Sequence, residues 1–191
     1  MKKIALDLDG VVFDSENLYR IYTEIYDIEK FKKDNIIHNE KRLFQERYNW
    51  PDEEFSKFYQ ENAQTILKIA PLMTGIDIVL SRLKSQYSFI IITARKNEEL
   101  EYAKEKLQEI GLFNVPIYDN EHKKIDRCIK ENIDYIIDDS EEICKQASKQ
   151  HIHAIYLKNN ASEKLPENKY LKTVHNWGEI YKYLYLTNMS D

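Results

Sequence analysis

The chain has 191 residues, of which 42% are hydrophobic, and its 28 basic and 33 acidic residues give a net charge of -5. A chain of this length can bury one good core and a small appended subdomain, whereas its negative charge argues against general binding to a nucleic-acid backbone. No apolar stretch approaches the length that spans a membrane, so we predict a cytoplasmic protein whose partners are neither nucleic-acid polymers nor membranes.

The first predicted strand begins at Ile4, and two carboxylates and a glycine stand at its end, namely Asp7, Asp9 and Gly10. Residues i and i+2 of an extended chain share a face, so Asp7 and Asp9 are expected to converge on one site. Two carboxylates so close repel each other, which indicates a bound cation or a proton to be moved. Asp-Gly is also common where a strand turns, so this segment alone leaves both interpretations open.

A helical insert is predicted to follow the first strand. An amphipathic helix comes first, and Pro51 is well placed to open a second one. We therefore predict a helical unit over residues 15–70 and a core formed by residues 1–14 and 71–191. The apolar stripe of the first helix is Leu18, Ile21, Tyr22 and Ile25. The aromatic residues of the insert would form its own core or a stacking surface for a nucleobase; they are Phe31, Phe44, Tyr48, Trp50, Phe55, Phe58 and Tyr59.

Two later strands are also apolar on both faces, which is typical of central strands in a parallel sheet. One covers residues 88–92 and ends at Thr93, and the other covers residues 135–137 and ends at Asp138 and Asp139. Predicted helices alternate with these and further short strands. The alternation predicts an α/β fold with a doubly wound parallel sheet and right-handed crossovers.

The polar residues at the ends of these strands should meet in one crevice, because ligands of open α/β sheets bind beyond the carboxyl ends of the strands. The residues are Asp7, Asp9, Thr93, Asp138 and Asp139. Four carboxylates and a hydroxyl suit Mg²⁺, a cation that prefers oxygen ligands and is usually completed by waters and a substrate phosphate. An alternative for Asp138 and Asp139 is a solvated acidic pair at a helix N-terminus.

These motifs resemble those of the haloacid dehalogenase (HAD) superfamily, and in particular its phosphatases. The first motif of that family, Asp-x-Asp-x-(Thr/Val), is present as residues 7–11, and Thr93 corresponds to its second motif. Lys124, or alternatively Lys123, stands where the family has its lysine, and residues 138–139 form the final acidic pair. The order and rough spacing agree over most of the chain, which implies a HAD-like core with a small helical cap.

The resemblance implies a role for each motif residue. Asp7 would be the nucleophile that forms an aspartyl-phosphate, and Asp9 would act as general acid and then general base. Mg²⁺ would be held by Asp7, the backbone carbonyl of Asp9, and Asp139, with Asp138 in support. The phosphate would be bound by Thr93, the backbone N–H of Ala94, and Lys124. Arg95 either reaches a second anionic group of the substrate or is an exposed loop residue.

The resemblance also implies a class of substrate. Asp9 favours phosphate ester hydrolysis, because the dehalogenases of the superfamily lack this second acid. Size and insert position resemble the 5′(3′)-deoxyribonucleotidase-like branch and its bacterial nucleotidases, so the expected partner is a small phosphorylated metabolite such as a nucleoside monophosphate. Ala94 and Arg95 replace the Ser-Pro of the pyrimidine-specific enzymes, so base preference is not carried over. A sugar phosphate or phosphoglycolate phosphatase, a non-catalytic binding module, and a homo-oligomer stay open.

Overall fold

The centre of the computed structural model, which describes residues 1–159 and 162–189, is a six-stranded sheet in which every pairing is parallel. The strand order is β3-β2-β1-β4-β5-β6. The strands are β1 (Lys2–Leu6), β2 (Tyr87–Ile92), β3 (Ile117–Tyr118), β4 (Tyr135–Asp138), β5 (His153–Leu157) and β6 (Leu171–Val174). The predicted α/β class with a doubly wound parallel sheet is confirmed.

The central position of β1 follows from its sequence, because apolar side chains on both faces require cover from both sides. Leu6 of β1 pairs with Ile91 of β2 and with Ile137 of β4. Leu6 and Ile4 belong to the hydrophobic cluster on one face of the sheet, whereas Ala5 belongs to the cluster on the other. From β1 the chain adds β2 and then β3 on one side of the sheet. It then crosses back to form β4 on the other side of β1. The carboxyl end of β1 therefore lies where the strand order reverses, which is the usual position of a ligand crevice.

The helices that cover the sheet lie mostly in its connections. The helices are α1 (Ser15–Phe31), α2 (Phe44–Arg47), α3 (Asp52–Ile69), α4 (Ile76–Leu83), α5 (Asn97–Glu109), α6 (Lys124–Lys130), α7 (Glu141–Lys149) and α8 (Trp177–Asn188). The indole N–H of Trp177 at the start of α8 donates to the carbonyl of Val11 over 3.0 Å. This buried bond fixes the loop after β1 against the last helix.

The helices of residues 15–69 have a hydrophobic cluster of their own. Its buried members are Phe44, Tyr48, Trp50, Phe58 and Ile66, and Phe31 and Phe55 pack against it. Tyr59, in contrast, is 47% exposed. These aromatic residues thus mainly hold helices together, because stacked and edge-to-face rings bury large apolar areas. The division of the chain at residues 14/15 and 70/71 stays a prediction.

The expected apolar stripe of α1 is partly wrong. Ile21 and Ile25 are 51% and 52% exposed. Leu18 and Tyr22 of the predicted stripe do pack against the aromatic cluster, where Tyr19 and Tyr26 join them. The buried face of α1 also includes Thr23 and Asp27, and Asp27 accepts a 2.6 Å bond from the indole N–H of Trp50. Compared with the prediction, α1 is therefore rotated about its axis so that aromatic and polar side chains face the interior. The spacing of aliphatic residues alone does not predict this orientation.

Among the described residues, no helix is both long enough and apolar enough to cross a membrane.

Candidate active site

The acidic residues at the ends of β1 and β4 come together as the strand positions predict. Asp7, Asp138 and Asp139 are all buried, and each offers a carboxylate oxygen within 4.8 Å of the others. Three like charges at this spacing are stable only when cations compensate them, because burial weakens solvation of the charged forms. We call these three residues the acidic triad.

Lys124 supplies the first compensating charge. Its ammonium lies 2.8 Å from Asp7 Oδ2 and 2.8 Å from Asp138 Oδ2. Although burial acts to lower the pKa of Lys124, the charges of Asp138 and Asp7 raise it above its ordinary value. Lys123 is exposed. Of the two lysines that the sequence left open, the structure thus brings Lys124 to the triad.

Asp7 is held in a defined orientation. Its Oδ1 accepts a 2.8 Å bond from the backbone N–H of Leu8, and its Oδ2 contacts Lys124. Burial raises the pKa of Asp7 from 3.8 to about 6, although the ammonium of Lys124 acts to lower it. A buried carboxylate held by a lysine and a backbone N–H has the fixed geometry that a nucleophile requires.

The two acids after β4 differ in what they leave free. Both oxygens of Asp138 are used, because Oδ2 accepts from Lys124 and Oδ1 accepts from the backbone N–H of Ser140, each over 2.8 Å. Asp139 Oδ1 is buried and has no hydrogen-bond partner among the described residues. Burial raises the pKa of Asp139 well above its ordinary range. An unpartnered, buried carboxylate oxygen next to two further acids fits a hard divalent cation such as Mg²⁺.

Asp9 does not join the triad. Arg95 forms a bidentate ion pair with the carboxylate of Asp9, in which Nε donates to Oδ2 over 2.9 Å and Nη2 donates to Oδ1 over 2.7 Å. Burial acts to raise the pKa of Asp9, but the hydrogen bonds and charge of Arg95 outweigh it and hold the pKa below its ordinary value. The expectation that Asp7 and Asp9 point at the same spot is therefore too simple, because the chain leaves the extended conformation after Leu6.

Arg95 is not the exposed loop residue of one expectation, and its reach to a second anionic group of the substrate stays a prediction. Its side chain is only 3% exposed, so it is not a solvated loop residue. Its guanidinium is committed to Asp9 and lies 4.9 Å from the centre of the Phe13 ring. Such a bidentate pair fixes the carboxylate in position as well as in charge.

Thr93 and Ala94 lie where β2 ends. Thr93 is 1% exposed, and its hydroxyl oxygen accepts a 3.1 Å bond from the backbone N–H of Arg95. This acceptor role leaves the hydroxyl proton available to an incoming anion. Ala94 is exposed and lines the cavity next to Asp9.

A cavity of about 250 Å³ lies between the crevice and the helices of residues 15–69. Residues from the strand ends and from α5 form one side of the cavity. Residues of α1, α2, α3 and the loop that precedes α2 form the other side. The lining includes Asp9, Gly10, Glu16, Tyr19, Arg42, Phe44, Gln45, Tyr59, Ala94, Arg95, Glu99 and Asp139. Tyr59, predicted either as core or as a stacking surface, is thus partly exposed to this cavity.

The cavity lining also includes four residues that were not predicted from the sequence, namely Arg42, Glu16, Tyr19 and Glu99. The most consequential is Arg42, whose Nε lies 3.2 Å from Asp139 Oδ2. The charge of Asp139, followed by those of Glu16, Asp138 and Asp7, raises the pKa of Arg42 despite its burial. Arg42 stands in a charged run of residues 38–42 that looks like an ordinary solvated segment, so the sequence carries no signal that separates it from Lys41.

Comparisons with known proteins bear on the fold of the chain. No family model matches the chain. Two relatives carry the name "Putative nucleotidase": one from Halalkalibacterium halodurans is 24% identical (93% of this chain, 90% of that protein), and one from Bacillus subtilis is 22% identical (96% and 94%). A HAD family hydrolase from Deinococcus radiodurans, solved with bound phosphate and sodium, matches with a TM-score of 0.66 and 14% identity over 98% of this chain and 96% of that one. The chain has the fold of the HAD-superfamily hydrolases, as its motifs predict.

The close approach of Gly10 to Asp139 generates a first prediction. Gly10 has φ +76°, and a Cβ at this position would lie 2.2 Å from Asp139 Oδ2. Gly75 has φ +79° but has nothing within 4 Å of an added Cβ. Gly75→Ala should cost only the backbone strain, about 1–2 kcal/mol, whereas Gly10→Ala should cost roughly 1–3 kcal/mol more through the clash. Urea unfolding of both variants measures the difference, and equal losses would contradict the contact.

The pKa of Asp7 generates a second prediction. Because burial raises this pKa from 3.8 to about 6, the folded chain holds a proton at Asp7 more tightly than the unfolded chain does. Ionising Asp7 therefore lowers the free energy of unfolding as the pH rises through this window. Asp7→Asn removes this titration, so its stability relative to the unsubstituted chain should rise between about pH 4 and about pH 6 and then level off.

Urea unfolding in EDTA over that pH range measures the effect. Asp126→Asn is a matched control, because it makes the same chemical change at an exposed position outside the triad. Added Mg²⁺ should reduce the difference in the free energy of unfolding between Asp7→Asn and the unsubstituted chain, because a bound cation stabilises the ionised carboxylate. A pH-independent difference for Asp7→Asn would show that Asp7 has an ordinary pKa.

Proposed function

We propose that this protein is a Mg²⁺-dependent phosphomonoesterase that works through an aspartyl-phosphate formed on Asp7. The observation that carries the proposal is the placement of Lys124 between Asp7 and Asp138 while Asp139 keeps an unpartnered oxygen. The proposed nucleophile, a lysine that would bind the phosphate, and a carboxylate oxygen that would bind the metal thus lie together at one sheet edge. The HAD hydrolase fold and the names of the relatives support the same chemistry.

Each partner of the phosphate is supplied by the ends of strands or by the start of α6. Asp7 and Asp139, with the backbone carbonyl of Asp9 and with Asp138 in support, would hold Mg²⁺, whose charge would offset that of the phosphoryl oxygens. The Thr93 hydroxyl, the Ala94 N–H and the Lys124 ammonium would donate to the same oxygens. Charge stabilisation of this kind supplies most of the catalysis in phosphoryl transfer.

The first chemical step is an in-line attack. A carboxylate oxygen of Asp7 forms a bond to phosphorus while the ester P–O bond breaks, and Asp9 gives its proton to the departing alkoxide. Asp9 must be protonated at this point, although the hydrogen bonds and charge of Arg95 act to hold its pKa low. The negative charge of the bound phosphate acts in the opposite direction and raises the pKa of Asp9.

The second step returns the enzyme to its starting state. Asp9, now ionised, accepts a proton from a water whose oxygen attacks the phosphorus of the aspartyl-phosphate. The bond between phosphorus and Asp7 breaks, which releases inorganic phosphate and restores the Asp7 carboxylate. Arg95 keeps Asp9 ionised and fixes its position before this proton transfer, although stabilising the ionised form also makes Asp9 a weaker base.

The proposed substrate is a small phosphate ester, and specifically a nucleoside monophosphate. The cavity beside Asp9 is lined by aromatic rings of Tyr19, Phe44 and Tyr59, together with hydrogen-bonding groups of Glu99 and Gln45. Aromatic faces suit a nucleobase, and carboxylate and amide groups suit hydroxyl and amino donors. The helices of residues 15–70 would act as a cap that closes this cavity. The names of the two relatives support this class of substrate.

Hydrolysis of a substrate panel tests the proposal. Release of inorganic phosphate should be fastest for nucleoside monophosphates, slower for sugar phosphates and phosphoglycolate, and dependent on Mg²⁺. Asp7→Asn should abolish all of it, while Asp126→Asn should retain it. Faster turnover of a sugar phosphate would replace the nucleotidase assignment. Metal binding without turnover of any substrate would leave only a binding module, and activity in Asp7→Asn would refute the mechanism.

The role of Asp9 generates a separate prediction about the leaving group. An alkoxide needs a proton to depart, whereas an aryloxide such as p-nitrophenolate departs without one. Asp9→Asn should therefore slow formation of the aspartyl-phosphate by roughly 10²- to 10⁴-fold with an alkyl phosphate, and by much less with p-nitrophenyl phosphate. Single-turnover kinetics with both esters measures this, and an equal loss for the two would show that Asp9 is not the acid.

A further inference from the structure

Arg42 is the only residue of the loop between α1 and α2 that forms an ion pair with the acidic triad among the described residues. Its Nε lies 3.2 Å from Asp139 Oδ2, and the two side chains are 32% and 6% exposed. This oxygen belongs to the carboxylate whose other oxygen is buried and unpartnered. A cation from the insert thus sits on the residue that is best suited to bind a metal.

The loop that carries Arg42 is held in place by contacts within the insert. Arg20 of α1 donates from its guanidinium to the carbonyls of Asn39 and Lys41, each over 2.9 Å. Arg20 also lies 3.3 Å from Glu16. On the other side, Phe44 begins α2 and packs in the aromatic cluster. The position of Arg42 is therefore tied to the helices of residues 15–69.

The charges of the triad explain why Arg42 is attracted there. Three carboxylates and the ammonium of Lys124 leave two uncompensated negative charges. A divalent cation cancels them, and without it Arg42 cancels one. The guanidinium keeps its charge at any ordinary pH, so it repels a cation brought to Asp139. Arg42 and the metal therefore compete for the negative charge of the same carboxylates.

We propose that Arg42 is a built-in counterion of Asp139 that a divalent cation must displace, so that metal binding loosens residues 38–43 of the loop. This inference rests on the proposed function, because it needs a metal site at the triad. It adds a link between the metal and the insert: the loop is anchored to the acidic residues when the metal is absent and released when the metal binds.

The affinity for metal in the absence of any phosphate tests the competition. Calorimetric titration with Mg²⁺ and Mn²⁺ should give about tenfold tighter binding to Arg42→Gln than to the unsubstituted chain, because the competing state is lost. Arg42→Lys keeps the charge and should bind metal nearly as the unsubstituted chain does. Lys41→Gln removes the same charge from an exposed neighbour and should leave the affinity within about twofold, since exposed charges are screened.

Hydrogen exchange tests the movement. Amides of residues 38–43 should exchange faster in the unsubstituted chain once Mg²⁺ is added. In Arg42→Gln they should exchange fast with or without the metal, while the amides of α3 should be unaffected in both. Thermal melting shows whether the variant is folded, and Arg42→Met, which also removes the charge, provides the same comparison if Arg42→Gln is not.

The outcomes separate this inference from the function on which it rests. Equal metal affinity in the unsubstituted chain and Arg42→Gln would overturn the competition while leaving the metal site intact. Weaker binding to Arg42→Gln would show instead that Arg42 orients Asp139 for the metal, and would overturn it too. Failure of every folded variant to bind metal would refute both the inference and the proposed Mg²⁺ dependence.

Discussion

The contact of Lys124 with both Asp7 and Asp138 is the interaction on which the site depends. The parallel sheet delivers these carboxylates from neighbouring strands, and burial makes their charged forms costly. One ammonium at 2.8 Å from each of them contacts both carboxylates at once and offsets one of their two charges. Asp138 is then fully satisfied, Asp7 is oriented, and the remaining negative charge concentrates on Asp139. The different environments of these three carboxylates thus follow from the position of Lys124.

Two aspartates separated by one residue acquire opposite acid–base character. Burial raises the pKa of Asp7 to about 6, even though Lys124 lies beside it. The pKa of Asp9 is lowered, because Arg95 is devoted to this carboxylate alone and binds both of its oxygens. Lys124, in contrast, is shared with Asp138. Carboxylates whose environments push their pKa values apart are suited to separate roles in one reaction. The order seen here is the reverse of the one that the proposed first step needs, in which Asp9 is protonated and Asp7 is ionised. Mg²⁺ held at Asp7 would lower the pKa of Asp7, and the charge of the bound phosphate would raise the pKa of Asp9.

Much of this molecule could be predicted from local sequence. The apolar runs that lead to Asp7, Thr93 and Asp138 predict buried parallel strands, and the order of the strand ends predicts the crevice. The side-chain partners could not be predicted in the same way. The direction of Arg95 depends on how the loop after β2 turns, and the placement of Arg42 depends on how the insert packs. The rotation of α1, which exposes Ile21 and Ile25, has the same origin, because tertiary packing of tyrosines overrides an aliphatic pattern.

Gly10 shows how a common local signal acquires a specific meaning from tertiary structure. An Asp-Gly pair after a strand suits a turn, and the φ of +76° at Gly10 is one reason for a glycine here. That reason applies equally to Gly75, at which the surrounding space is open. At Gly10 the carboxylate of Asp139 fills the space that a side chain would occupy. The glycine therefore permits both the turn and the approach of β4's acid to β1, and only the second of these links it to the proposed chemistry.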